Sequence, residues 1–244
     1  MPTTGATESA GHGPITEAHP AVTGSVSPAN LRYLEAAYYL AGEGEVIRRA
    51  RLASWLGISA PAVTQGVARL VRDGLLEDGP NQELELTPEG ERVARDVVRR
   101  HRIIEVWAVM TLGLDWVSAD DEAQRVAPVI SEEALERLHE QLGRPSCCPH
   151  GNHIPGEPAP QRSSRRLVDL APGAAGVVER ISELAEHDAH EVLDIAYNAR
   201  LLPGMRVTVM AVERDGAMVL DVDGSEARIW PRVASAVWVA EPPA

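Results

Sequence analysis

One stretch of this 244-residue chain limits its fold more than any other: the run from Pro88 to about Met110 reads as a single long helix. Thr87 supplies a cap, Pro88 fits the first helical position, and Glu89 meets the positive end of the macrodipole. Val93, Val97, Ile104 and Trp107 recur at helical spacing, so one stripe must be buried. His101 and Glu105, four residues apart near the far end, stand on one face. We read this helix as a shaft joining the units on either side of it.

The upstream unit carries a definite pattern. Ser27-Pro28 starts a helix whose inward face is Leu31, Leu34, Ala37, Tyr38 and Leu40, and Gly42-Glu43-Gly44 ends it. A short helix follows from Arg48, turning at Gly57, and Ser59 caps a second helix that ends by Asp73-Gly74. Val63, Val67 and Leu70 face inward on that second helix, leaving Ala62, Thr64, Gln65 and Arg69 outside. This is a helix-turn-helix pattern. Leu76 and Leu84-Glu85-Leu86, flanking Asp78-Gly79-Pro80-Asn81, predict a β-hairpin, the wing of a winged helix.

Charge supports a nucleic-acid partner at this point and only here. The chain carries 36 acidic and 23 basic residues, a formal net charge of −13, so it cannot coat nucleic acid or membrane by bulk charge. Yet from Val46 to Arg72 there are five arginines (Arg48, Arg49, Arg51, Arg69 and Arg72) and no acid. Such a local basic face suits phosphate contacts. A winged helix used for protein contacts is the alternative.

Beyond Gly113 the sequence predicts a helix starting near Ser118-Ala119-Asp120 and interrupted by Pro128, then another capped by Ser131 with Leu135, Leu138 and Leu142 inward. These short apolar helices cannot cover one another, which makes a dimer interface plausible. Cys147-Cys148-Pro149-His150 follows, then a linker over 157–165. From Arg166 to Ala240, short Val-rich runs separated by turn signals predict a small barrel, with strands at Met205–Val212, Ala217–Val222 and Val237–Ala240 and a helix near Ala189–Ala199. Residues 1–26 are rich in Gly, Ser, Thr and Pro and read as a disordered tail. No run is long and apolar enough to span a bilayer, no export signal is visible, and two adjacent cysteines make no disulfide framework, so a cytoplasmic location is expected.

With these residues in place, the chain resembles the diphtheria-toxin-repressor and manganese-transport-regulator family of metal-dependent repressors. The motifs that carry the resemblance are Ser59-Ala60-Pro61-Ala62-Val63-Thr64-Gln65, Arg72-Asp73-Gly74-Leu75, Leu86-Thr87-Pro88-Glu89-Gly90, His101-Arg102-Ile103-Ile104-Glu105, Cys148-Pro149-His150-Gly151-Asn152 and Leu202-Pro203-Gly204, in that order. The resemblance implies an α+β multidomain chain: a winged helix-turn-helix domain over 27–100, a helical dimerisation and metal-binding domain over 101–156, and an SH3-like small β-barrel over 166–240. It implies a homodimer that binds a palindromic double-stranded operator when loaded with Mn²⁺ or Fe²⁺, Zn²⁺ or Co²⁺ being possible in vitro. Neither a membrane nor a small-molecule substrate is expected, and no nucleophile with a partnered base suggests an enzyme. Ser59, Pro61, Ala62, Thr64 and Gln65 would face bases, with Arg49 and Arg51 on phosphates.

The metal ligands are kept unevenly. Where the family builds its principal site, this chain has Arg32, Gln124, Ala127 and Pro128, which offer no strong ligand. The second site is better kept: His101, Glu105, Cys148 and His150 match, the stretch His187-Asp188-Ala189-His190 sits where a third part of the chain would contribute, and Asp120 is a reserve ligand. The alternatives are a buried His101–Glu105 pair without metal, and a regulator that has lost metal control.

Overall fold

The computed structural model describes residues 26–162, 165–184 and 190–242, with the side chain of His190 also outside that set. The tail of residues 1–25, together with His187 and Asp188, therefore lies outside the described residues.

Helix α1 (Pro28–Gly42) starts at Ser27, whose hydroxyl accepts from the Asn30 N–H. Strand β1 (Ile47–Arg48) leads directly into α2 (Arg49–Leu56), so Arg48 ends a strand instead of opening the helix. Gly57, at φ +62°, turns the chain in the left-handed conformation that glycine tolerates, and Ser59 caps α3 (Ala60–Arg72). Strands β2 (Leu76–Asp78) and β3 (Glu83–Leu86) form the expected hairpin, and β1 pairs with β3 to give a three-stranded sheet. One core holds the unit together: Leu34 and Leu40 of α1, Leu52 and Trp55 of α2, Val63, Val67 and Leu70 of α3, and Val93 and Val98 from the next helix.

That helix, α4, runs Pro88–Leu112, with Thr87 accepting from the Gly90 N–H. It packs on α1 at one end and on α5 (Trp116–Val126) at the other. The sequence places the start of α5 near Ser118; it begins two residues earlier because Asp115 is the cap, its carboxylate accepting the Ser118 N–H at 2.9 Å. Helix α6 (Glu132–Gln141) starts at Ser131 as expected, and Leu135 joins Ile103, Ile104 and Ala123 in a second core.

The C-terminal part is a six-stranded antiparallel sheet in the order β4-β9-β5-β6-β7-β8, made of β4 (Arg165–Arg166), β5 (Ala175–Ile181), β6 (Arg206–Val212), β7 (Met218–Val222), β8 (Ser225–Ile229) and β9 (Val237–Ala240). Helices α7 (His190–Asn198) and α8 (Pro231–Ala236) cover its core. Among the described residues no ladder joins β4 to β8, so the barrel expected from the sequence is an open sheet here. The core of this unit includes Trp116 of α5, which ties the sheet to the helical part.

The sheet also reaches the N-terminal unit. Glu43, just past α1, buries its carboxylate against Arg180 of β5, with Arg166 at 3.7 Å, and both guanidinium groups stack on the Trp238 ring. Among the described residues no helix is long and apolar enough to cross a membrane.

Candidate metal centre and nucleic-acid interface

Five side chains predicted as ligands converge. α4 presents His101 and Glu105 one turn apart, with His101 Nε2 at 3.3 Å from Glu105 Oε1. α5 brings Asp120, whose Oδ1 lies 3.1 Å from the same His101 nitrogen. From the loop after α6, His150 Nδ1 lies 3.5 Å from Glu105 Oε1 and 3.8 Å from Cys148 Sγ. The donors fall into two groups that share Glu105: Glu105, Cys148 and His150, and His101, Glu105 and Asp120, each with donor atoms within 4.8 Å of one another. All but Asp120 are buried.

The loop that carries Cys148 and His150 is fastened on three sides. The Cys148 N–H donates to Asn152 O, the Ile181 N–H of β5 donates to His150 O, and the Asn152 side chain donates to Ile181 O. Gly151 is obligatory for two reasons: its φ is +85°, and a Cβ there would stand 2.1 Å from Glu179 O. Trp116 meets the His150 ring edge-on with centroids 4.8 Å apart.

Burial and neighbouring charges oppose one another in this cluster. Burial works to lower the His101 pKa, yet Glu105, Asp120 and Glu35 together hold it well above its ordinary 6.5. Burial would likewise raise Glu105, but the His150 and His101 rings keep it below the usual carboxylate value. Burial prevails at the other two groups, lowering His150 and raising Glu35. Imidazole, carboxylate and thiolate donors in a closed site suit a divalent transition ion, so the residues present fit such a metal.

Glu35 is the residue that sequence reasoning missed. It lies 3.7 Å from His101 Nδ1, opposite the other carboxylates, and accepts a hydrogen bond from Tyr39. The available signal was a lone acid within the apolar stripe of α1, between Leu34 and Ala36. Glu183, ion-paired with Arg102 beside the centre, was missed too. Of the remaining predicted ligands, His187, Asp188 and the His190 side chain lie outside the described residues. His139 and His153 stay out of the cluster, bonding instead to Pro145 O and Glu157 O.

On α3, Ser59, Pro61, Ala62, Thr64 and Gln65 form an exposed strip, although Ser59 is engaged as the cap and Thr64 donates to Ala60 O at 2.9 Å. The basic face is less free than the sequence window suggests. Arg48 pairs with Glu83, Arg49 with Asp78 at 2.6 Å, Arg51 with Glu45 at 2.8 Å and Arg72 with Asp73. Arg69 makes no ion pair among the described residues.

Comparisons with known proteins bear on both sites. Residues 28–84 match the family model described as the N-terminal DNA-binding domain of iron-dependent repressors, and residues 87–156 match that of the metal-binding and dimerisation domain. The iron-dependent repressor IdeR of Mycobacterium leprae is 35% identical over 204 residues, covering 80% of this chain and 88% of its own length. The diphtheria toxin repressor of Corynebacterium efficiens is 35% identical over 216 residues, covering 85% of this chain and 93% of that protein. A solved manganese-dependent transcriptional repressor in complex with manganese superposes with a TM-score of 0.76 at 28% identity, over 87% of this chain and 100% of the other. ScaR with bound Zn²⁺ gives 0.71 at 26% identity, over 87% and 99%.

Proposed function

Because the chain belongs to the iron-dependent repressor family, we propose that it is a homodimeric, metal-responsive transcriptional repressor of metal-homeostasis genes, acting in the cytoplasm and not as an enzyme. Its metal is Mn²⁺ or Fe²⁺, with Zn²⁺ and Co²⁺ as further ions the donor set accepts. The proposed division assigns 27–100 to reading DNA, 101–156 to metal binding and dimerisation, with the boundary inside α4, and 166–240 to an SH3-like domain.

The observation that carries the reading is the donor set gathered around His101 and Glu105 of α4, the helix that also packs against α1 of the DNA-reading unit. His101 and Glu105 on α4, Asp120 on α5, and Cys148 and His150 on the loop fastened to β5 would hold the ion. When bound, it would supply a divalent positive charge facing the Glu105 and Asp120 carboxylates. The chain's own part is to bring three segments to one point: α4 and α5 fix the carboxylates, and the Cys148–Asn152 loop carries the sheet with it. Ordering of these segments is thereby linked to the position of α1 and α3. Pro61, Ala62, Thr64 and Gln65 on α3 face the major groove, with Ser59 at the helix start; Arg49 and Arg51 reach phosphates by exchanging their acidic partners.

A second reading, a repressor of this fold without metal control, is favoured by one observation: Glu105, Asp120 and Glu35 hold the His101 pKa well above its ordinary value, so a charged imidazole can offset part of their charge without an ion. Fluorescence anisotropy separates the two. Chelated protein titrated with Mn²⁺, Fe²⁺ or Zn²⁺ should gain operator affinity, and Glu105→Ala and Cys148→Ala should abolish the gain. Tight binding by the chelated protein, unchanged on adding metal, would establish the second reading.

A further inference from the structure

A cavity of about 220 Å³ opens between α1, α4 and α5, beside the metal donors just described and sharing His101 with them. Leu31, Val97, Ala123 and Ala127 wall it, Glu35 and His101 border it, and the exposed residues Arg32 and Gln124 stand at its rim. Sites for drug-sized ligands run to about 300–1,000 Å³. This one is scaled for a smaller molecule.

Its charges leave one group uncompensated. Arg100 is consumed by Asp96, by Glu132 at 2.5 Å and by Ile130 O at 2.8 Å. Glu35 is engaged by His101 and Tyr39, and His101 by Glu105 and Asp120 as well. Arg32 makes no hydrogen bond or ion pair among the described residues, and neither does Gln124. Among the described residues the cavity thus offers an unpaired guanidinium and an unpaired amide at the rim of an apolar interior. No thiolate stands there, and the one carboxylate and one imidazole that border it are already taken up by the neighbouring cluster, so a metal ion finds no fresh ligand set. A planar fork of N–H donors is suited to a carboxylate, and the walls are suited to hydrocarbon.

We propose that this cavity binds a small organic carboxylate, its acid group held by Arg32 and Gln124 and its carbon body lodged between Leu31, Val97, Ala123 and Ala127. The ligand bridges α1 and α5. Such binding goes beyond the metal-responsive reading and does not depend on it.

The test uses the full chain after chelation, with acetate, hexanoate and benzoate as probes and 1-hexanol as the uncharged control, followed by saturation-transfer NMR and titration calorimetry. At least one carboxylate should bind, and hexanol should bind at least about tenfold more weakly than hexanoate, since it lacks the charge-assisted pair. Arg32→Gln, at an exposed position, should reduce hexanoate to the level of the alcohol, whereas Arg32→Lys, which keeps the charge and loses the fork, should fall between the two. Ala127→Leu, checked for native circular dichroism, should fill the cavity and exclude both probes. No binding by any of the three acids at millimolar concentration, or undiminished hexanoate binding by Arg32→Gln, overturns the proposal. Metal affinity measured on Arg32→Gln should equal that of the parent, so a negative result here leaves the metal centre untouched.

Discussion

His101 lies among three carboxylates, with Glu105 and Asp120 on one ring nitrogen and Glu35 on the other. Glu35 therefore orients the ring from behind, and a metal ligand's opposite-side partner is worth about 10–100-fold in metal affinity. Glu35→Gln should lose affinity in that range in a competition titration against a chelating dye; unchanged affinity would detach Glu35 from the centre. The same arrangement sets a pH dependence. The His101 pKa is raised in the folded chain, so its charged form contributes stability fully below the unfolded value of 6.5 and loses it as pH rises through the folded value. Chelated protein should accordingly melt at lower temperature as pH rises from 6.5 into the alkaline range. Metal affinity should rise over the same range, because the ion must displace that proton. A melting temperature that stays flat would mean that His101 holds no proton. Of this cluster, His101, Glu105, Cys148 and His150 were legible because their spacing is local or matches a family motif. Glu35 was not, because only the folded packing of α1 on α4 brings it to the ring.

Two helices meet at Gly66. The Tyr33 ring of α1 presses so closely on α3 that a Cβ at Gly66 would lie 2.4 Å from the ring, while the Tyr33 hydroxyl donates to Ala62 O. Gly66→Ala should cost about 1–3 kcal/mol through overpacking. It should also shift the strip that bears Gln65, so both melting temperature and operator affinity should fall; a variant as stable as the parent would show that Tyr33 can move aside. A phosphate contact can be tested on the same element. Among the described residues Arg69 is the arginine on α3 without an acid partner, so Arg69→Ala should lower the salt slope of operator binding by about one unit. An unchanged slope would place Arg69 away from the backbone. The boundaries of α1, α3 and α4 could be read from Ser27, Ser59 and Thr87, whose caps act within three residues. The pairing of Arg48 with Glu83 and of Arg49 with Asp78 could not, since the acids lie about thirty residues further on, in the hairpin. β5 and β8 also escaped notice: adjacent Glu179 and Arg180 break the alternation of β5, and β8 is a five-residue run whose apolar residues are Ala227 and Ile229 alone.

Across the whole molecule, α4 belongs to two cores at once, giving Val93 and Val98 to the N-terminal unit and Ile103 and Ile104 to the helical one. Trp116 then carries the connection into the C-terminal sheet. What these cores leave outside is informative. Met110 and Leu112 at the end of α4 and Val129 after α5 are 68%, 49% and 80% exposed. They belong to the region matched as the metal-binding and dimerisation domain. Three large apolar side chains at helix ends of that region are best explained as cover for a second copy. A stable pair needs about 1,200–2,000 Å² of buried surface, and a charge placed inside such an area must be desolvated without a partner. Met110→Glu and Val129→Glu should therefore each shift the chain toward monomer in sedimentation velocity, at concentrations where the parent is dimeric. Operator affinity should fall with the dimer, because a palindrome is read by two recognition helices whose separation the dimer fixes. Metal affinity per subunit should hold, since neither residue belongs to the donor set. If both variants sediment as dimers and bind operator like the parent, the two copies meet elsewhere.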